Sequence, residues 1–422
     1  MNAKKINIKE HSYSYDLNEE ELIDLLKKPN QLIEEINLEK GGFKTGYFIG
    51  ISRLGSTQNI LNVAPKLDTA TTKINYLSML SKGMQHPEMT SFGKDLFFVD
   101  LDAKPIKVKQ DQDLITPLII VSFLQLLSII VKKGLRKSYY KVEQNIYGNV
   151  RGKILVSKTI KQNLFRIKNL YTFCAYEEFG VDSPENRILK KALLFSIKYL
   201  KSFNTLENKF EPLINYISPA FKTVNSSISI SEIKHFKNDN FFPEYNRGLE
   251  LAKMIIKRFG YNINSISNNQ DVNVYPYWID MPKLFEFYVL GILKEEFGRK
   301  DIVFQFSANY GELDYLRITE GKELVIDAKY KNLYVNNNYE IDDIRQLSGY
   351  ARDKKTLSKT NIKSEFWKST LLNCLIVYPD QTSGILESFE SKLFLNPISQ
   401  FENFYKVGVK IPTKDIIRNE PL

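Results

Sequence analysis

The 18 residues from Leu114 to Val131 (LITPLIIVSFLQLLSIIV) carry no charge, and they restrict what this chain can fold into more than any other stretch. A segment of that kind either crosses a bilayer or sits at the centre of a large core. Thr116 followed by Pro117 reads as an N-cap and first helical residue, and Gly134 as the stop. That leaves a helix of roughly 17 residues, at the lower limit for a span. Ser122, Gln125 and Ser128 mark a slightly polar stripe along it, so the expectation is a buried core helix and no membrane partner. A chain of 422 residues with 43% hydrophobic content has enough material for such a core and exceeds what one core usually organises, so two or three domains are expected.

The formal net charge of +10 favours a polyanionic partner such as DNA. Cys174 and Cys374 form no CxxC pair, which argues against both a zinc site and a disulfide framework and reads as a reducing cytoplasm. His11, His86 and His235 have no spacing that suggests ligands or a catalytic relay. Any metal must therefore be held by oxygen, which points to Mg²⁺ or Mn²⁺. The first residues, MNAKKINIKEHSYSYDLNEEEL, lack the apolar stretch a signal peptide needs.

The coarse pattern is that of an α+β or α/β multidomain protein. Residues 1–110 read as a β-rich domain with a leading helix near Glu19 to Lys28, followed by short strands between Gly41 and Leu67. Residues 111–262 read as helices and hairpins. Within them, Tyr139 to Leu170 alternates apolar and polar residues around Gly148 and Gly152, and Ser183-Pro184 opens a helix. The Asn- and Ser-rich stretch Asn262 to Val274 marks a boundary or long connection, and residues 270–422 read as a third domain. No P-loop is present: Phe43 precedes Lys44-Thr45, and Ile154 follows Gly152-Lys153, so the chain is expected to bind no nucleotide by itself.

The residues that suggest chemistry lie in that third domain. A helix over Pro282 to Phe297 precedes three expected strands, Ile302 to Phe306, Leu313 to Ile318 and Glu323 to Tyr330, in an antiparallel meander. Side chains two apart on a strand share a face, so Asp327 and Lys329 project together while Ala328 turns away. Val325 and Ile326 make this a buried strand, where an unpaired carboxylate or ammonium is expensive. Pairing across the Glu320-Gly321 turn brings Asp314 to a similar height, and two adjacent carboxylates call for a cation between them. Such a site suits phosphodiester hydrolysis: Asp314 and Asp327 as metal ligands with help from the Ala328 carbonyl, and Lys329 as the base-like or electrostatic group. A structural ion-pair strand is the plain alternative. Glu286, amid apolar neighbours on the preceding helix, either completes the metal site or snorkels at the helix edge. Gln346 and Tyr350, four apart on a helix expected over Ile341 to Lys354, either support the site or DNA or lie on an ordinary surface.

Together these residues resemble the PD-(D/E)XK nuclease superfamily, and Gln346-Leu-Ser-Gly-Tyr350 resembles the QxxxY element of its RecB-like branch. A closer resemblance is to McrC, the nuclease subunit of McrBC modification-dependent restriction systems. It rests on NVAPKL (62–67), GNVRGKI (148–154), YEEFGVDSPENRILKKAL (176–193), and DMPKLFEFY (280–288) with DAKYK (327–331). The family commonly has Pro-Asp at the first acid, whereas Leu313 precedes Asp314 here and Glu312 lies two positions earlier; Asp314 is preferred because Glu312 sits nearer the Gly311 turn.

The resemblance implies a carboxy-terminal restriction-endonuclease-like domain with a central mixed sheet flanked by helices. Its site would comprise Asp314, Asp327 and Lys329, with Glu286 as a further ligand and Gln346, Tyr350 and Lys331 in support. It also implies a cytoplasmic defence protein that cleaves double-stranded DNA with Mg²⁺ or Mn²⁺. Such a subunit stimulates a hexameric McrB-like AAA+ GTPase by inserting an element into its channel, for which the 139–170 hairpins and the loop near Ser52 to Asn59 are candidates. A noncatalytic activator of an AAA+ ring and a stand-alone DNA-repair nuclease are the competing readings.

Overall fold

The computed structural model describes residues 4–83, 95–109, 115–201, 204–227, 243–260, 271–336, 338–385 and 389–415. His86, His235 and residues 262–270 of the expected connection lie outside them. The chain forms two compact units: Met1–Ile106 together with Tyr275–Leu422, and Lys107–Val274.

In the second unit the apolar segment forms a helix over Ile115–Lys133, which packs against the helices Asn204–Ile217 and Pro243–Gly260. Leu118, Ile120, Phe123, Leu124 and Leu127 are fully buried, whereas Ser122, Gln125 and Ser128 line the partly exposed stripe. By length and composition the helix would span a bilayer, but protein covers most of its apolar surface. It starts at Ile115, so Thr116 stands inside the first turn and is not the cap; Pro117 is tolerated there because first-turn N–H groups have no helical acceptor.

The region 139–170 departs from the expected hairpins. Ser138–Tyr147 pairs antiparallel with Tyr171–Gly180, along ten residues each, and the short strand Lys153–Ile154 lies on that second strand's other edge. Between them Val156–Gln162 is helical, because Val156 and Ile160 recur at a helical rather than a strand interval. The glycines of GNVRGKI are explained locally. Gly148 and Gly152 both have positive φ, and a Cβ on Gly152 would stand 2.5 Å from the Ala175 carbonyl oxygen. That close approach lays the Arg151 guanidinium over the Tyr176 ring, at 4.1 Å, and against Glu178 Oε1 at 2.8 Å. In the adjoining SPEN stretch, fully buried Asn186 donates to the Arg136 and Val181 carbonyls and accepts from the Tyr245 hydroxyl. Both motifs therefore hold this unit together.

In the first unit, Glu19–Lys27 is an amphipathic helix closed by a capping box between Asn18 and Glu21. A five-stranded sheet runs in the order Lys5–Lys9, Ile60–Ala64, Phe48–Arg53, Tyr277–Asp280, Phe97–Val99. Its fourth strand comes from the carboxy-terminal part of the chain. Asp280 then ends that strand and caps the helix Met281–Phe297, accepting the Lys283 N–H at 2.9 Å.

The other sheet of this unit is mixed. The meander Ile302–Ser307, Glu312–Arg317, Leu324–Ala328 is antiparallel, and Asn373–Pro379 and Phe404–Val409 extend it in parallel. All five residues of Leu324–Ala328 are buried, as suits a central strand with paired neighbours on both edges and packed layers on both faces. The helix Ile341–Arg352 packs on it and on Asn373–Pro379.

Candidate functional site

The site forms where the central strand loses its antiparallel partner. The ladder between Glu312–Arg317 and Leu324–Ala328 pairs Arg317 with Leu324, Leu316 with Val325 and Tyr315 with Ile326. One step further would set Asp314 opposite Asp327. There the Asp314 carboxylate itself accepts the Ala328 N–H, at 2.9 Å, so a side chain replaces the backbone acceptor as the strands part. Asp314 lies deep among its neighbours yet keeps a partly accessible face.

Asp327 and Lys329 project from the central strand to one side, as period two requires. Lys329 stands just past the last strand residue, although its N–H still bonds the Val377 carbonyl at 2.8 Å. Its ammonium lies 2.6 Å from Asp327 Oδ2 and 3.6 Å from Asp343 Oδ1, and it donates to Gln346 Oε1 at 3.0 Å. Apart from that ion pair, this buried Asp327 oxygen has no hydrogen-bond partner among the described residues. A carboxylate at 2% residue exposure whose buried oxygen rests on a single ammonium can accept a further cation.

The carboxyls around it titrate abnormally. Burial, followed by repulsion from Asp327 and Glu286, holds Asp314 well above the usual carboxylate range. Burial, with Asp280 and Asp327 next, pushes Glu286 up to about 7. Glu286 therefore feels the same field as the aspartates, and its helix is tied to the meander by the Tyr315 hydroxyl, which donates to the Glu286 carbonyl at 2.6 Å. For Lys329 burial opposes the charge, but Asp327 and Asp343 outweigh it and raise the ammonium above its ordinary value. Among the described residues no three Asp, Glu, His or Cys side chains are gathered into a ready metal cluster. The internal donors account for this: Asp314 is turned to the Ala328 N–H and Asp327 to Lys329.

Two supporting residues prove different in character. Gln346 faces the site and holds Lys329, whereas Tyr350 turns inward at 3% exposure and donates to the Glu312 carbonyl at 2.6 Å, bracing the meander. Lys331 points to Asp343 Oδ2, at 3.0 Å, and to Glu340. Asp343 was not singled out by the sequence reading, yet it joins Lys329, Lys331 and the Tyr334 hydroxyl. Burial disfavours its charge, but the Tyr334 hydroxyl and both lysines overcome this and lower its pKa. The available signal was its position three before Gln346, on the same helical face.

Fold and site thus define a multidomain α/β protein whose carboxy-terminal mixed sheet presents two acids and a lysine where paired strands diverge. The sequence profile of the family described as McrBC 5-methylcytosine restriction system component matches residues 43–360, and the chain belongs to that family. Solved structures of low similarity include a half-complex from a tetradecameric assembly of Thermococcus gammatolerans McrB AAA+ hexamers with bound McrC. It is 16% identical, covering 96% of this chain and 94% of that one, with a TM-score of 0.38. A Thermococcus gammatolerans McrBC complex is likewise 16% identical, covering 70% and 88%, with a TM-score of 0.28. No curated protein matches the chain.

Proposed function

We propose that this chain is the McrC-like subunit of its restriction system: a PD-(D/E)XK-type endonuclease that hydrolyses DNA phosphodiester bonds with Mg²⁺ or Mn²⁺. The observation behind this reading is the Asp314, Asp327, Lys329 constellation, in which Asp327 Oδ2 is held only by the Lys329 ammonium. Its donors are all oxygen, and their mutual repulsion suits a hard divalent cation. Asp314 and Asp327 would hold that ion, with Glu286 near enough to contribute charge or a water-mediated contact. When bound, it supplies Lewis-acid polarisation of the phosphate. Lys329, kept charged by Asp327 and Asp343 and aimed by Gln346, stabilises negative charge developing on the phosphoryl oxygens.

The same reading assigns an McrB-like AAA+ ring as partner. The segment 139–170 suits that contact better than the loop 52–59. Phe165, Ile167 and Leu170 are 79%, 86% and 62% exposed, beside Arg166 and Lys168. Apolar side chains that far into solvent mark an interaction surface. The loop is instead tied down within its own unit: the Ser56 hydroxyl and amide both donate to Asp24, Arg53 reaches Gln58, and Asn59 reaches Glu21.

The test is cleavage of double-stranded, 5-methylcytosine-containing DNA by this chain with its ring partner and Mg²⁺. Asp327→Ala is expected to abolish cleavage while leaving folding and stimulation of the partner's nucleotide hydrolysis intact. Cleavage retained by the variant complex would refute the site, and a wild-type complex that stimulates hydrolysis without cutting any such DNA would make the chain a noncatalytic activator.

A further inference from the structure

The central strand ends at Ala328, and after Lys329 the chain bends sharply: the Lys331 N–H bonds the Lys329 carbonyl at 2.7 Å, a turn centred on Tyr330. The Lys329 N–H still bonds the Val377 carbonyl, but the sheet alone does not fix the residues that follow it. What holds them comes from the beginning of the chain. Lys66 Nζ donates to the Tyr330 carbonyl at 2.8 Å, and its ammonium stands 3.9 Å from the Tyr330 ring centroid and 4.9 Å from that of Tyr47. Glu10, 1% exposed, accepts on Oε1 from both the Lys66 N–H, at 2.9 Å, and the Tyr330 hydroxyl, at 2.8 Å. Glu10 is itself fixed to the sheet by its N–H to the Ala64 carbonyl, at 2.8 Å. On its other side the Tyr330 ring packs against Phe285, at 5.8 Å, the residue before Glu286. Backbone and side chain of Tyr330 are thus both clamped, and the clamp touches the acid-bearing helix as well as the lysine-bearing turn.

We propose that Glu10, Lys66 and Tyr330 form a latch through which the amino-terminal segment sets the position of the central strand's Asp327–Lys329 end, so that Lys66 is a positioning residue for phosphodiester hydrolysis. The inference rests on the nuclease reading for its consequence, though not for its geometry. A lysine suits the task because one ammonium satisfies a backbone carbonyl and sits against two aromatic rings at once. Removing it frees the Tyr330 carbonyl and leaves the buried Glu10 without its nearest cation, so the turn loses its reference while the strand upstream keeps its ladder.

The experiment uses the full chain as wild type, Lys66→Met, Lys66→Arg and Asp327→Ala. Three quantities are read: amide hydrogen exchange of the peptide covering 324–331, Mn²⁺ binding by calorimetry, and cleavage in the assembled complex. Lys66→Met is expected to speed exchange there and to weaken Mn²⁺ binding and cleavage by roughly ten-fold or more, the range typical for residues that orient ligands from behind, with Lys66→Arg recovering much of each loss. Unchanged exchange refutes the latch. Faster exchange with unaltered Mn²⁺ binding and cleavage refutes the positioning role. Asp327→Ala that still binds Mn²⁺ and still cuts refutes the assignment of the nuclease site instead, while the exchange result continues to judge the latch. If Lys66→Met does not fold, Tyr330→Phe, which removes only the hydroxyl bonded to Glu10, is read the same way.

Discussion

Lys329→Met, measured without metal in EDTA, isolates the electrostatics of the site from its chemistry. The Asp327 side chain is 3% exposed and that of Lys329 16%, so water does little to screen either charge. Asp343 keeps Lys331 and the Tyr334 hydroxyl when Lys329 is lost, and Asp314 keeps the Ala328 N–H. Asp327 alone is stranded, because its Oδ2 has no partner besides that ammonium at 2.6 Å. Removing one member of a buried pair costs about 3–5 kcal/mol. In a unit of this size each kcal/mol lowers Tm by about 2–4 °C, so the expected fall is roughly 6–20 °C.

The diagnostic step is the second substitution. Asp327→Asn placed on Lys329→Met removes the stranded charge and should return most of the lost stability, with a coupling of about 2–3 kcal/mol in the double-mutant cycle. Asp327→Asn alone should cost less than Lys329→Met, since Lys329 retains Asp343 and Gln346. None of the three variants should cleave DNA, so a variant that regains stability without activity separates the two functions of the pair. Chemical denaturation followed by tryptophan fluorescence reads the stabilities. A Lys329→Met protein as stable as wild type, or one that Asp327→Asn does not rescue, would refute the description of Asp327 as a buried carboxylate dependent on one cation.

Glu10 gives a pH dependence of definite sign. Burial, only partly offset by Lys66, raises its carboxyl from 4.5 to about 7. The folded state therefore holds a proton that the unfolded chain releases, so this contribution is complete below about pH 4.5 and is lost as pH rises through 7, amounting to about 3 kcal/mol; denaturation midpoints of Glu10→Gln should fall less across pH 5–8.5 than those of wild type, and equal slopes would contradict it. Phe165→Ser with Ile167→Ser should leave the Tm of the free chain almost unchanged, because both side chains are in water, while lowering stimulation of the partner's nucleotide hydrolysis; normal stimulation would remove this segment from the interface. Gly152→Ala should destabilise the second unit by about 1–3 kcal/mol, as strain from positive φ and the 2.5 Å approach to the Ala175 carbonyl act together, and an unchanged melting profile would show that the turn can relax.

These particulars show which kinds of information a single sequence makes legible. The helix Ile115–Lys133, the capped helix Glu19–Lys27 and the meander through Leu324–Ala328 were readable because each is specified by residues within a few positions of one another. Period two likewise put Asp327 and Lys329 on one side, and the turn at Gly321 brought Asp314 level with them. The hairpins expected within 139–170 were misread for the converse reason. The partner of Ser138–Tyr147 lies beyond an inserted helix, at Tyr171–Gly180, and alternation says which way side chains point without saying which strand lies alongside. Tyr350 lies beside Gln346, as helical spacing put it, while the close approach of Gly311 to its hydroxyl, which bonds the Glu312 carbonyl, is set by tertiary packing that spacing does not describe.

The contact between Lys66 and Tyr330 lies still further from local periodicity, since 264 positions separate them and no spacing rule links NVAPKL to DAKYK. Both are nonetheless short, charged stretches beside apolar strands, where burying a lysine is expensive unless something distant satisfies it. Lys66, lowered to about 8 by burial against the opposing pull of Glu10, and Lys329, whose buried charge is sustained by two aspartates, meet that cost in different ways. The first uses a carbonyl and aromatic rings and can serve as a fixed strut; the second uses acids that a cation would compete for and can respond when one binds. A lysine next to a buried strand is therefore a question about its partner, and the chemistry of the partner separates a residue that braces the site from one that works in it.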